Sequence, residues 1–377
     1  MIAFELTAAQ EELRNRVRSV GREVIAPLAR ELDAAPEPDP HRMPEVLAAH
    51  GLNCLLVPEE CGGPGYDNVT AALVLEEIAA ACAGAASIVA ATMHAMAPLM
   101  IAGTDGQRRR YLPALARGGV AGFALSEPRA GSDAGAVATA AHPAGEGYLL
   151  EGRKSFVFNA GVAVFYTVFA TSDPRKGKAG INAYLVPGDA PGLRVTEVHD
   201  KMGLRTSTTG ELLLDRVYVP GDGLIGHPGT GYLLLAQTLD WGRAFFGAIG
   251  VGLARAAFEA ALSHARRREQ FGRPIVKHQG VSFLLAEMAT RVDAARLLVW
   301  RACRLMDREE DFTAASSMAK LFASEAARYV CGHAVLILGR EGYVRRNPVE
   351  KYYRDAKALE IVEGTSQIQR MIIASQL

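Results

Sequence analysis

The sequence predicts a mostly α-helical protein with a central antiparallel β domain. Two changes in hydrophobic period indicate this order. Apolar residues recur at helical spacing in residues 1–118 and again in residues 226–377, whereas residues 119–225 contain short runs of β-branched and aromatic residues separated by turns. We therefore predict three domains with these bounds: an all-α N-terminal domain, a middle β domain and a helical C-terminal domain.

Helix-start signals and chain breaks divide the N-terminal domain. Thr7 precedes a helical run with apolar residues between positions 13 and 24, and the prolines of residues 36–44 interrupt the chain after it. A loop rich in Gly and Pro follows at residues 58–65. The apolar stretch 78–101 contains a histidine and a proline, so we interpret it as a pair of buried helices and not as a membrane span.

The middle domain is predicted from β-branched and aromatic runs bounded by turn residues. The predicted strands are at residues 147–152, 164–170, 181–186 and 216–220. Beyond them the helical period returns, with one long helix beginning near Leu233 and a second that carries the apolar residues of 283–303 on one face.

Composition narrows the function classes. The 377 residues include 41 basic and 41 acidic side chains, so the net charge favours neither nucleic acid nor an anionic membrane as a partner. The five cysteines form no Cys-x-x-Cys pair, which is typical of free reduced thiols. Residues Met1–Glu5 lack the start of a signal peptide. We expect a cytoplasmic protein.

Several catalytic motifs are nearly present but fail. Gly147–Ser155 resembles a phosphate-binding loop, yet Arg153 stands where the motif has lysine, and the segment lies in a predicted hairpin. Gly250 and Gly252 lack the third glycine of a dinucleotide turn and fall inside a helix. Ser126 has no nucleophile-elbow glycines. The nine histidines show no ligand spacing, so we expect no metal.

The remaining chemistry is concentrated in a few segments. Backbone amides and the hydroxyls of Ser126 and Ser132 are suited to bind oxygen atoms of a flat heterocycle or of a phosphate, although the segment is equally an ordinary turn. The segments of interest, in chain order, are residues 125–133, 152–160, 201–212, 268–275 and 354–370.

In this order and spacing, these segments resemble the acyl-CoA dehydrogenase family. The resemblance extends from the N-terminal helices to Ile373. It implies an N-terminal helical domain, a β-barrel-like middle domain and a C-terminal four-helix bundle. It also implies FAD bound between the β domain and the C-terminal helices, at a subunit interface of a homotetramer or homodimer. An acyl-CoA or carrier-protein thioester is the implied substrate, and an electron-transfer flavoprotein is the implied redox partner.

The resemblance assigns roles residue by residue. It implies that Phe156 to Asn159 form the strand that covers the flavin, and that Arg268 and Phe271 reach the FAD of a neighbouring subunit. The implied substrate contacts are Ser132, Asp133, Arg243 and Gly364. The implied cofactor contacts are Phe123, Leu125, Ser126, Ser132, Phe156, Phe158, Arg268, Phe271, Gly339, Thr365 and Gln367.

Glu363 matches the catalytic base of the commonest branch of the family. A carboxylate shielded by an acyl chain and a flavin is a competent base for the weakly acidic α-proton of a thioester. A second branch places its base on the helix of Arg243, at the position of Gly242 in this chain. Asp240 is a reserve candidate on that helix. The alternative for Glu363 is an acidic residue near the start of a helix that begins close to Ser366.

Several positions depart from the family pattern. The family usually has tryptophan at Phe156 and, at Phe158, a threonine whose hydroxyl bonds the flavin N5, a bond that phenylalanine cannot donate. Leu336 and Arg340 replace a glutamine and a glycine near the adenosine, and Val362 replaces an aromatic before the base. We therefore expect a specialised dehydrogenase. The alternatives are an oxidase that passes electrons to oxygen and a non-catalytic thioester-binding protein of the same fold.

Overall fold

The computed structural model describes residues 5–377. Residues 1–4 lie outside that range, and they make up most of the segment in which the sequence shows no signal peptide. The helices that precede the sheet are α1 Ala8–Val20, α2 Ala26–Ala34, α3 Arg42–Ala49, α4 Asn68–Ala81, α5 Ala83–Ala102 and α6 Asp105–Ala116. Helix α1 begins directly after Thr7, as the sequence predicts, and Thr7 caps it in a capping box with Gln10. The stretch 78–101, predicted as a pair of buried helices, contains the end of α4 and nearly all of α5, and both helices are largely buried.

The sheet contains eight strands and is mixed. Its strands are β1 Val120–Ala124, β2 Ala140–Ala144, β3 Gly147–Phe158, β4 Ala163–Thr171, β5 Ile181–Pro187, β6 Leu193–Val198, β7 Thr209–Pro220 and β8 Leu224–Ile225. The order is β6-β7-β3-β2-β4-β5-β8, and β1 pairs with β4 in parallel. All four predicted strands fall within β3, β4, β5 and β7.

Two expectations about this sheet were wrong. It is not wholly antiparallel, because β1 and β4 run in the same direction, with a register that begins at Val120 and Ala163. It is also not a closed barrel, since the strand order ends at β6 and β8 without a pairing between them. Residue period reports which positions face the core, but it carries no information on the direction of the paired strand.

Helices return after the sheet. They are α7 Gly231–Arg267, α8 Gln279–Asp307, α9 Thr313–Leu338, α10 Pro348–Leu359 and α11 Ser366–Ser375, with a short hairpin of β9 Glu269–Gln270 and β10 Arg273–Pro274 between α7 and α8. A Cβ on Gly252 would lie 2.2 Å from the carbonyl oxygen of Glu76. This glycine therefore lets α7 approach α4 closely, which explains it as a packing residue.

Three helices are long and apolar enough, by length and composition, to cross a membrane: Ala83–Ala102, the long Gly231–Arg267 and the segment Thr313–Tyr343. In this fold their most apolar windows are half or more buried against other elements. Their apolar character is therefore accounted for by packing in the protein core.

Helix α5 is fastened to the sheet by buried side chains. The Asn159 amide donates to the carbonyl oxygens of Ile88, at 3.1 Å, and Ala121, at 2.8 Å. The Thr167 hydroxyl donates to the carbonyl oxygen of Ala95 at 2.7 Å. These bonds fix the register of α5 against β1 and β4, which determines where the side chains of α5 meet the C-terminal helices.

Candidate active site

Glu363 lies on the loop between α10 and α11, in a left-handed backbone conformation. Its φ is 56° and that of Gly364 is 86°. Such a φ is uncommon outside glycine and is maintained only when neighbouring groups hold it. Lys320 Nζ donates to the Gly364 carbonyl at 2.6 Å, and Gln369 Nε2 donates to the carbonyls of Glu363 and Gly364 at 2.9 and 3.0 Å.

This geometry separates Glu363 from the start of the next helix. Helix α11 begins at Ser366, as predicted, but its N-cap is Thr365, whose hydroxyl accepts from the Ile368 amide. The Glu363 side chain is only 11% exposed. Glu363 is therefore a shielded carboxylate on a constrained turn and not a capping residue.

Three helices bring polar side chains to this carboxylate. His94 of α5 places Nδ1 at 3.0 Å from Glu363 Oε2. Arg243 of α7 and Lys320 of α9 interact electrostatically with Glu363, and both are buried. The Glu363 carboxylate is therefore shielded from water and has two cationic side chains as neighbours.

Burial perturbs the ionisable neighbours. Burial lowers the pKa of Lys320 to about 8, with the charge of Glu363 acting against it. Burial also lowers the pKa of Arg243, opposed by Asp240 and Glu363. The pKa of Asp240 is raised by burial despite the pairing with Arg243. Asp240 also accepts from the Thr313 hydroxyl at 3.2 Å, so it serves Arg243 as a buried partner.

Phe123 connects the sheet to this cluster. Its ring stacks on that of His94, with centroids 4.2 Å apart and planes 10° from parallel. Phe123 precedes Leu125 and Ser126, where the chain leaves β1. The structure thus brings the predicted flavin segment to a face of the His94 ring and the predicted base to its edge.

A buried ion pair ties the flavin segment to strand β3. Lys154 Nζ donates to Glu127 Oε1 at 2.7 Å and to the Leu125 carbonyl at 3.0 Å, and the Ser155 amide donates to the Ser126 carbonyl at 2.8 Å. Burial lowers the pKa of Lys154 to about 8. Burial alone would raise the pKa of Glu127, but Lys154 and Thr139 hold it below its ordinary value. The pair is therefore ionised at neutral pH.

The residues around this segment fit a flat polar cofactor such as FAD. Phe156 is 64% exposed with φ 54°, and its ring stacks on His199. The Ser126 hydroxyl makes no hydrogen bond with the described residues, while Ser132 and Asp133 are exposed. Buried polar atoms without a partner among residues 5–377 include Ser207 Oγ, Thr209 Oγ1, Arg243 Nε, Ser366 Oγ and Gln369 Oε1. Such atoms are costly unless a bound group satisfies them.

The structure does not bring every predicted site residue to Glu363. Arg268 and Phe271 lie at the α7–α8 hairpin, where Phe271 is 95% exposed, and Gln367 is exposed on α11. Gly339 ends α9 beside the exposed Leu336. None of these residues is bonded to Glu363 within the described chain. Their assignment to a cofactor shared with a second subunit stays a prediction.

Sequence reasoning missed several residues that shape the site. His94, Lys320, Gln369 and the Glu127–Lys154 pair carried no motif. One signal was present, since His94 interrupts an otherwise apolar helix and a buried polar residue in such a position needs a partner. The identity of that partner depends on contacts between helices far apart in sequence.

The order of elements defines a class of fold in which a mixed sheet lies between two helical domains. Family models for the acyl-CoA dehydrogenase N-terminal, middle and C-terminal domains match residues 7–119, 122–217 and 229–377. A probable acyl-CoA dehydrogenase of Bacillus subtilis, YngJ, is 42% identical over 377 residues, covering 99% of each chain. The chain therefore belongs to the acyl-CoA dehydrogenase family.

Solved structures agree with this family assignment. Butyryl-CoA dehydrogenase from Megasphaera elsdenii has a TM-score of 0.96 and 35% identity, covering 100% of this chain and 99% of that one. The prolyl acyl carrier protein oxidase AnaB has a TM-score of 0.92 and 31% identity, covering 99% of both chains. This chain is thus similar to an enzyme named for a CoA thioester and to one named for a carrier-protein thioester.

Proposed function

We propose that the protein is an FAD-dependent dehydrogenase that introduces an α,β double bond into an acyl thioester, with Glu363 as the base. The observation that carries this proposal is the Glu363 carboxylate, shielded on a left-handed turn and set among His94, Arg243 and Lys320. A carboxylate in this setting can accept a carbon-bound proton at neutral pH.

The turn also offers a donor for the thioester carbonyl. The Glu363 amide donates no backbone hydrogen bond among the described residues, although its own carbonyl accepts from Gln369. An amide aimed at the carbonyl oxygen stabilises the negative charge that develops when the α-proton leaves. Bound FAD would supply the acceptor for the hydride of the β-carbon. Glu363 then holds the α-proton on a carboxylate oxygen until product departs.

The decisive experiment is the visible spectrum of purified protein, recorded anaerobically during titration with a panel of CoA and carrier-protein thioesters. We expect a yellow flavin band that bleaches with a short, branched or cyclic acyl group. Equal bleaching by all common straight-chain CoA esters would contradict the specialised substrate. A protein that stays colourless after addition of FAD would refute the dehydrogenase and leave a non-catalytic thioester-binding protein.

Oxygen is a second candidate electron acceptor, in place of an electron-transfer flavoprotein. The observation in its favour is Phe158, which is half-buried near Phe246 and has no hydrogen-bonding group where the family has a hydroxyl. The similarity to a carrier-protein oxidase points the same way. We expect Phe158→Thr to change the yield of hydrogen peroxide per thioester consumed under air. No peroxide from either protein would exclude the oxidase.

A cofactor shared between subunits predicts a specific role for Arg268. Its side chain is exposed and takes part in none of the ion pairs found among the described residues. If it meets a phosphate of FAD on a second copy of the chain, Arg268→Ala weakens FAD binding by roughly tenfold, the value of one charge-assisted hydrogen bond. Fluorescence titration of stripped protein with FAD measures this. Arg266→Ala, an exposed change two residues earlier in the chain, is the matched control. Equal weakening in both would contradict the prediction.

A further inference from the structure

His94 is a buried imidazole whose hydrogen-bonding atoms are unused. The residue is 1% exposed, and neither Nδ1 nor Nε2 has a hydrogen-bond partner among residues 5–377. Glu363 Oε2 is also without one. Nδ1 and Oε2 are 3.0 Å apart, a hydrogen-bonding distance, but the ring and the carboxylate are not aligned as a bond. A small rotation of the carboxylate would pair both atoms, and leaving both unpaired is unfavourable.

The chain makes room for this contact at Gly242. A Cβ on Gly242 would lie 3.0 Å from His94 Cε1 and 3.1 Å from each ring nitrogen. The absence of a side chain on α7 therefore lets the imidazole occupy the space beside the base. Phe123, stacked on the other side of the ring, fixes its plane. The ring is held on both faces while its edge meets Glu363.

We propose that His94 positions the Glu363 carboxylate and keeps it ionised, as the hydrogen-bond donor of a His–Glu pair. This inference rests on the proposed function of Glu363 as the base. An imidazole that donates Nδ1–H to a carboxylate favours the ionised, proton-accepting form and restricts the rotation of that carboxylate. His94 does not touch the reacting carbon in this role, so it is a positioning residue.

Other charged groups act on the same carboxylate. Arg243 and its partner Asp240 approach from α7, Lys320 from α9, and Glu360 lies at the end of α10 near Lys320. Arg243 and Lys320 interact electrostatically with Glu363 whether or not His94 is present. Removal of His94 is therefore expected to shift the pH dependence of the base without abolishing it.

The first test is the pH profile of anaerobic flavin reduction by the best thioester of the panel. His94→Leu introduces an apolar side chain of similar bulk that has no hydrogen-bond donor. His94→Gln retains a donor. We expect His94→Leu to move the acid limb of the profile to higher pH by about one unit, the equivalent of one charge-assisted hydrogen bond. His94→Gln should recover at least half of that shift. Identical acid limbs in all three proteins would refute the proposal.

The second test does not depend on turnover. Thermal unfolding of the FAD-bound protein is measured for His94→Phe, which keeps a flat ring but has no donor, for Glu363→Gln and for the double variant, with equal FAD content. A paired histidine and glutamate give non-additive shifts in Tm, since each substitution removes the partner of the other. The exposed His50→Gln, combined with Glu363→Gln, is the control and should be additive. Additive shifts for His94 would refute the pairing.

These tests separate the two proposals. If Glu363→Gln reduces its flavin as fast as the unmodified protein, the proposed function of Glu363 fails, whatever His94 does. If Glu363→Gln is inactive while the His94 variants show an unchanged profile and additive unfolding, only the role of His94 is wrong. If His94→Leu does not fold, the unfolding cycle built on His94→Phe still decides the matter.

Discussion

Glu363→Gln is expected to abolish bleaching of the flavin by any thioester that bleaches the unmodified protein. Glutamine matches the shape of glutamate but cannot accept a proton from carbon. Loss of a general base lowers the rate by about 10²–10⁴-fold. The measurement is the anaerobic rate of flavin absorbance loss after mixing. Glu325→Gln, a partly exposed change on α9 that pairs with Arg370, is the control and should keep the normal rate.

The interpretation requires an intact site. Glu363→Gln should retain FAD and bind the thioester, because the turn is held by backbone contacts from Lys320 and Gln369 and not by its carboxylate. If the variant with full FAD still bleaches at the normal rate, Glu363 is not the base. Asp240 would then be the next residue to substitute, although its side chain is engaged by Arg243 and Thr313.

Glu127→Gln is expected to cause the largest loss of stability among single changes near the site. It leaves the ammonium of Lys154 buried, at 0% side-chain exposure, without its ionised partner. Breaking one side of a buried ion pair costs about 3–5 kcal/mol. Urea denaturation measures the loss. The control is Glu151→Gln, a half-exposed change on β3, the strand that carries Lys154. Its free energy of unfolding should stay within about 0.5 kcal/mol of that of the unmodified protein.

The loss should depend on pH with a defined sign. The pKa of Glu127 in the folded protein lies below its ordinary value of 4.5, despite burial, because of Lys154 and Thr139. At a pH between the folded-state pKa and the ordinary pKa of Glu127, the unfolded chain binds more protons than the folded protein. The contribution of Glu127 to the free energy of unfolding is therefore complete above about pH 4.5 and is lost as the pH falls. The stability difference between Glu127→Gln and the unmodified protein should therefore narrow on acidification. A difference that is constant with pH would contradict this assignment.

A second effect follows from the position of this pair. Lys154 also donates to the Leu125 carbonyl, so it holds the segment that leads into Ser126. Weaker anchoring of this segment in Glu127→Gln should lower FAD retention as well as stability. The same fluorescence titration used for Arg268→Ala measures it. Unchanged FAD affinity would show that the pair supports the fold alone.

The sequence identified those features that depend on residues close together in the chain. Thr7 was recognisable as a helix start because a capping hydroxyl bonds an amide three residues later. Strands β3, β4, β5 and β7 were predicted because each has a run of β-branched and aromatic residues between turns. Glu363 and the segment 125–133 were selected as candidates because their neighbours form ordered motifs.

Only the tertiary structure established the direction of β1 beside β4 and the identity of the side chains that surround Glu363. The parallel pairing depends on where the chain returns to the sheet, which the period of a strand does not encode. His94 and Gly242 meet because hydrogen bonds from Asn159 and Thr167 set α5 against the sheet. Contacts of this kind follow from how separate elements pack, and side chains distant in sequence become neighbours only when that packing is complete.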